Sequence, residues 1–224
     1  MNPQERVIAR PIGAVVETNK VLRNTYALLA LTLLFSGMTA GLSMALNMGI
    51  GANLLSFIGS MVLLWFVLPR TANSAAGIAV VFAITGLLGF GLGPMLSHYL
   101  SVANGSQIVG TALGGTGVIF LALSGYALVT KRDFSFLGGM LVAGFVIVLL
   151  AAVVNIFAGI PALSLAISAI VIFIMSGFIL FDTSRIINGG ETNYIMATVG
   201  LYLSIYNIFT SLLHLLGAFG GSDE

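Results

Sequence analysis

Charge is what this chain has least of. Eight Lys+Arg and seven Asp+Glu are spread over 224 residues, 7% of the total, where a soluble globular domain carries about 25%. That scarcity excludes a water-soluble domain as the default. It excludes disorder as well, which needs low hydrophobicity and high charge. A net charge of +1 supplies no basic surface to neutralise phosphates, so nucleic acid is not an expected partner. Cysteine is absent, which removes disulfides, thiolate metal sites and a Cys nucleophile. The first 20 residues contain no apolar run of signal-peptide type, so no cleavable signal is expected and the first span would serve for insertion.

What is there is apolar: 58% of the residues are hydrophobic. Residues 24–69, 71–130, 134–181 and 192–222 contain no Lys, Arg, Asp or Glu. Crossing the ~30 Å hydrocarbon core takes about 20 helical residues. The first three stretches each hold two crossings and the last holds one, giving seven. The apolar runs are continuous, whereas a membrane β-barrel alternates polar and apolar residues. Turn residues place helices near 25–47, 52–69, 75–98, 107–130, 135–158, 161–182 and 192–217, with breaks at 49–51, 69–70, 104–105, 131–133, 159–161 and 189–190. The expected organisation is a tail over 1–24, a seven-helix bundle over 25–217 and a short tail over 218–224.

All eight basic residues fall on one side of this arrangement: Arg6, Arg10, Lys20, Arg23, Arg70, Lys131, Arg132 and Arg185. The positive-inside rule then places the N-terminus in the cytoplasm and, with seven spans, the C-terminus outside. Glycine pairs at small-xxx-small spacing, Gly37/Gly41, Gly89/Gly93 and Gly110/Gly114, predict faces where helices approach closely. The glycines before Pro94 predict a bend or break in the third span.

Asp182 stands out. It ends the apolar run 170–181, and an acid in or bordering the bilayer is expensive enough to mark a functional site. The structural alternative is an acid reaching the headgroups, or pairing with Arg185 three residues on. Arg70 is a second candidate charge partner. Ser204 and Asn207, three apart on the seventh span, share a face and offer neutral oxygens, with Tyr202 and Tyr206 beside them. Asn155 predicts a hydrogen bond between helices. His98 and His214 fall near the far face, where two histidines without a third ligand are a poor zinc site. An aspartyl protease needs two intramembrane acids, and a Ser–His hydrolase needs its nucleophile beside a base. The spacing provides neither, so no catalytic residue is assigned.

Three segments together resemble the Bax inhibitor family of transmembrane proteins: residues 91–99 (GLGPMLSHY), residues 131–137 (KRDFSFL), and Phe181-Asp182 followed by residues 201–209 (LYLSIYNIF). The likeness covers residues 25–217. Residues 21–26, 135–141 and 189–195 are similar to a bacterial branch of the family. The resemblance implies an all-α polytopic fold with the seventh helix surrounded by six. It also implies a pH-sensitive cation leak, mainly of calcium, governed by an aspartate pair on the sixth and seventh helices. The first aspartate falls on Asp182 and the second on Ser204. A serine cannot share a proton with Asp182 or form a like-charge couple with it. Ser204 and Asn207 remain oxygen donors for a bound calcium or other cation, and no other cofactor is implied. The bacterial branch implies a non-enzymatic inner-membrane protein that binds and restrains a membrane-bound AAA protease through its cytoplasmic tail. With the second acid missing, restraint of the protease is the leading expectation and the leak at Asp182 the alternative.

Overall fold

The computed structural model describes residues 12–220. Residues 1–11 and 221–224, part of each expected tail, lie outside the described residues. Among the described residues seven helices are long and apolar enough to cross a membrane. They are α1 (Ile12–Ala45), α2 (Ile50–Thr71), α3 (Ala75–Leu100), α4 (Gly105–Thr130), α5 (Gly138–Ala158, entered through a 3-10 turn at Ser135–Leu137), α6 (Pro161–Ile187) and α7 (Tyr194–Gly220). No strand occurs among the described residues. In lipid each span must satisfy its own backbone, and a helix does so within one segment.

Five of the six expected breaks fall at or beside helix ends, but the one at 69–70 is corrected: α2 runs on through Pro69 and Arg70 to Thr71, and the chain turns at 72–74. Left-handed backbone at Asn104, Lys131, Gly159 and Gly189 stops or starts helices there. Two boundaries differ from expectation by five residues or more. α1 begins at Ile12, inside the stretch read as tail, although its apolar window begins only at Thr18. α6 continues to Ile187, because Thr183, Ser184 and Ile186 are buried and hold its last turn in the bundle. α3 runs unbroken through Pro94, which corrects the broken span expected there. The irregular helix is α2 instead. It contains a π turn at Leu63–Val67, where the Leu68 N–H reaches back to the Leu63 carbonyl. Pro69 then removes a backbone donor. Side chains serve the carbonyls nearby: the Arg70 guanidinium donates to Phe66, and the Thr71 hydroxyl donates to Val67 at 3.0 Å.

The ring around α7 is not closed. α7 packs against α1, α3, α4 and α6, but α2 lies only against α3, and α5 only against α6. Half of the central window of α3 and of α7 is buried, against 11% for α2 and α5. The expectation of a seventh helix surrounded by six is therefore corrected to a helix with four neighbours and two outlying spans. α1 and α4 flank α7 with their backbones apart, touching through the rings of Tyr26 and Phe120 at 6.0 Å between centroids. Tyr202 anchors the centre: its hydroxyl donates to the Thr85 carbonyl at 3.3 Å and lies 2.7 Å from the Ser36 hydroxyl. Among the described residues Lys20, Arg23, Arg70, Lys131, Arg132 and Arg185 all sit towards the same end of the bundle, hereafter the basic face.

Candidate functional site

Asp182 lies five residues before the end of α6, about 7–8 Å along the axis from the basic face. Its carboxylate turns towards α7. A Cβ built on Gly200 would stand 2.9 Å from the Asp182 Oδ2 atom and 3.5 Å from its Cγ. Glycine at position 200 thus makes room for the acid between the two helices, and the side chain is partly buried rather than spread among headgroups. Asp182 makes no hydrogen bond or ion pair among the described residues.

The two candidate charge partners are engaged elsewhere. Arg185 forms an ion pair with Glu191 at 3.4 Å, donates to the Gly190 carbonyl at 3.2 Å and lies over the Phe181 ring. The reason is local. α6 ends in a turn through Gly189 at φ +76°, closed by the Gly190 N–H on the Arg185 carbonyl at 2.8 Å, and that turn swings Glu191 back onto Arg185. Arg70 is exposed and serves its own helix, as described above. The candidate oxygens on α7 are also turned inward on their helix. Ser204, buried, donates to the Gly200 carbonyl at 3.1 Å, and Asn207 donates to the Leu203 carbonyl at 2.8 Å. Ser204 therefore sits one turn beyond Gly200, the residue that faces the carboxylate. Asn207 lies almost a further turn along, towards the middle of the bilayer.

Residues to which the sequence assigned no role build the frame of this site. Asn193 caps α7 by accepting the N–H groups of Ile195 at 2.9 Å and Met196 at 3.1 Å. The amide nitrogen of the same side chain donates to the Ala72 carbonyl and the Asn73 side-chain oxygen in the α2–α3 loop, at 2.9 and 2.8 Å. Glu191 accepts the Asn193 N–H at 2.9 Å, which links this cap to Arg185. On the other side of α6, Ser184 accepts the Phe134 N–H at 2.8 Å and donates to the Arg132 carbonyl at 3.3 Å. Asp133 accepts the Ser135 N–H at 2.8 Å; hydrogen bonds from Ser135 hold its carboxyl below the usual carboxylate range. The three connections on the basic face are thus tied to the ends of α6 and α7. An Asn one residue before an apolar helix, just after Gly189-Gly190, was the readable signal for the cap.

At the far face, Asn155 donates to Ser164 at 2.7 Å across α5 and α6, the interhelical role expected of it. His214 meets Ser168 at 2.9 Å. No group of three or more His, Asp or Glu suited to a metal ion occurs among the described residues. Among the described residues, cavities of about 510, 350 and 520 Å³ occur, and none of these three is lined by Asp182, Ser204 or Asn207.

The comparisons agree with this architecture. The model of the family described as "Inhibitor of apoptosis-promoting Bax1" matches residues 18–221. The chain is 54% identical over 204 residues to the Escherichia coli K12 protein named "Modulator of FtsH protease YccA", covering 91% of this chain and 92% of that one. The same figures hold for "Inner membrane protein YccA" of Escherichia coli O6:H1. An uncharacterized membrane protein of Vibrio cholerae is 48% identical over 208 residues, 93% of each chain. With a family match across all seven spans and such relatives over nine-tenths of its length, the chain belongs to the family of inhibitors of apoptosis-promoting Bax1.

Proposed function

We propose that this protein is a non-catalytic, multi-pass component of the bacterial inner membrane that modulates the AAA protease FtsH by binding it directly. One observation carries the reading: 54% identity, over almost the whole chain, to a protein named as a modulator of that protease. The inner-membrane address follows the name of the second relative. The segregation of basic residues supports a cytoplasmic N-terminus. The frame on the basic face adds a physical reason. Asn193, Glu191 and Ser184 hold the connections between spans in fixed positions, so a partner meets an ordered surface and pays less to bind it. The test is to co-purify the protease with the full chain and with a form lacking residues 2–11, and to follow degradation of a membrane substrate of the protease. Retention with the full chain and slower degradation support the reading. No retention and unchanged degradation end it.

A second reading is a cation site at Asp182, with Ser204 and Asn207 as neutral donors. It is favoured by a carboxylate inside the bundle with no direct ion pair or hydrogen bond among the described residues, an arrangement that leaves its oxygens open to a cation. Calcium flux into liposomes, measured for the unaltered chain and for Asp182→Asn, tests it. Flux that Asp182→Asn alters supports the site, and absence of flux in the unaltered chain removes it.

A further inference from the structure

The gap between α1 and α4 has dimensions that identify its contents. The cavity of about 510 Å³ lies there, walled by Gly37 and Gly41 of α1 and Gly117 of α4 and floored by Tyr202, Tyr206 and Phe209 of α7. Its side is open because the backbones of α1 and α4 stay apart, and the Tyr26 and Phe120 rings, 6.0 Å between centroids, meet across the two helices only at the end nearer the basic face. A Cβ added at Gly37, Gly41 or Gly117 would touch nothing within 4 Å. These glycines leave the walls bare without bringing another helix close. We propose that this groove binds one acyl chain of a phospholipid from the leaflet opposite the basic face.

Length is the first argument. The lining runs from Leu33 to Met44 on α1 and from Val109 to Phe120 on α4. Eleven steps of 1.5 Å make about 16 Å on each wall, close to half of the ~30 Å hydrocarbon core. The lining occupies the later part of α1 and the earlier part of α4, and both parts belong to the half of the bilayer away from the basic loops. The groove is therefore as long as one leaflet is thick.

Volume is the second. A transmembrane helix would run on past a groove confined to one leaflet, whereas the cavity of about 510 Å³ ends with its lining at Leu33 and Phe120. A polymethylene chain with carbon contacts near 4 Å takes on the order of 200 Å³ over that length, so the groove has room for one.

Chemistry is the third. The Ser36 and Tyr202 hydroxyls are spent on each other, and Thr116 donates to the Ala112 carbonyl at 2.7 Å. The Tyr206 hydroxyl is the free polar group on an otherwise apolar lining. Such walls do not hold water. Left empty, they would forfeit dispersion contacts along the whole groove.

The test uses the full chain in nanodiscs containing a trace of phosphatidylcholine with a photoactivatable diazirine on one acyl chain. Adducts are mapped after irradiation. Residues lining the groove are expected to carry about tenfold more adduct than the outward face of α5 around Phe157, the ratio given by a 1.4 kcal/mol preference. The double variant Gly37→Leu/Gly117→Leu fills open space only, so helix content and elution should be unchanged while the enrichment disappears. Gly41→Leu is an independent second block. Equal labelling of groove and α5, or enrichment that survives both blocks in folded protein, overturns the proposal. A third result would also overturn it. In this cysteine-free chain, Gly41→Cys can be probed with a thiol cross-linker, and capture of a second copy or a partner helix in place of lipid would show that protein fills the gap.

Discussion

The pair Gly89/Gly93 and the pair Gly37/Gly41 have the same spacing, lie on helices that touch each other, and do opposite things. A Cβ at Gly89 would fall against the Ser36 carbonyl oxygen, and one at Gly93 against the Ser43 side chain and the Ala40 carbonyl. There glycine lets α3 lie against the backbone of α1, the role assigned to such pairs in membranes. At Gly37 and Gly41 nothing stands within 4 Å, and the same holds at Gly110 and Gly114. The expectation that all three pairs mark helix contacts is therefore corrected: within the chain, one pair closes an interface and two border open space. A spacing motif states what can come close, and only the neighbour decides whether anything does.

The largest effect should come from forcing the closed pair apart. Gly89→Ala places a methyl against backbone, which cannot yield as a side-chain tip can, and should cost about 3 kcal/mol. Thermal survival of the monomer in detergent, followed by size exclusion, measures it; a near-neutral result would break the comparison. Next, Asn193→Ala should cost about 1–2 kcal/mol through the lost cap, with the Ala72 carbonyl losing its donor as well. Hydrogen exchange should then rise in the first turn of α7 and in residues 72–74 together. Gly41→Ala should be neutral or stabilising by up to about 1 kcal/mol, because alanine favours helix over glycine and meets no neighbour here. The same melting assay sharpens the contrast, since one methyl changes the sign of its effect with location. The smallest effect concerns pH. The Asp133 carboxyl is held below its usual range by Ser135, so its contribution is present above the ordinary carboxylate value and fades as pH falls through the lowered one. Asp133→Asn should flatten that slight acid-side slope in melts taken between about pH 6 and pH 3.

Much of this was readable in advance, for one reason: hydrocarbon thickness fixes span length, and scarce charges then mark the ends. Hence the seven helices, their order and most of their breaks were legible. What stayed hidden depends on which helix lies beside which. Arg185 is three residues from Asp182 and looked like its partner, but the turn at Gly189 delivers Glu191 instead, and nothing in the spacing shows that competition. Ser204 and Asn207 share a face as expected, yet each donates its hydrogen to a carbonyl one turn back, a habit of polar residues in apolar helices. The room that Gly200 gives to Asp182 is a tertiary fact that no single helix records.

The Asn193 side chain grips the α2–α3 loop while its oxygen fixes the first turn of α7. Loop and helix start are therefore one lever. A force applied to residues 72–74 reaches the α7 backbone at once, and Gly200 stands seven residues further along, against the Asp182 carboxylate. One side chain and about two turns of helix are all that separate the α2–α3 loop from that acid.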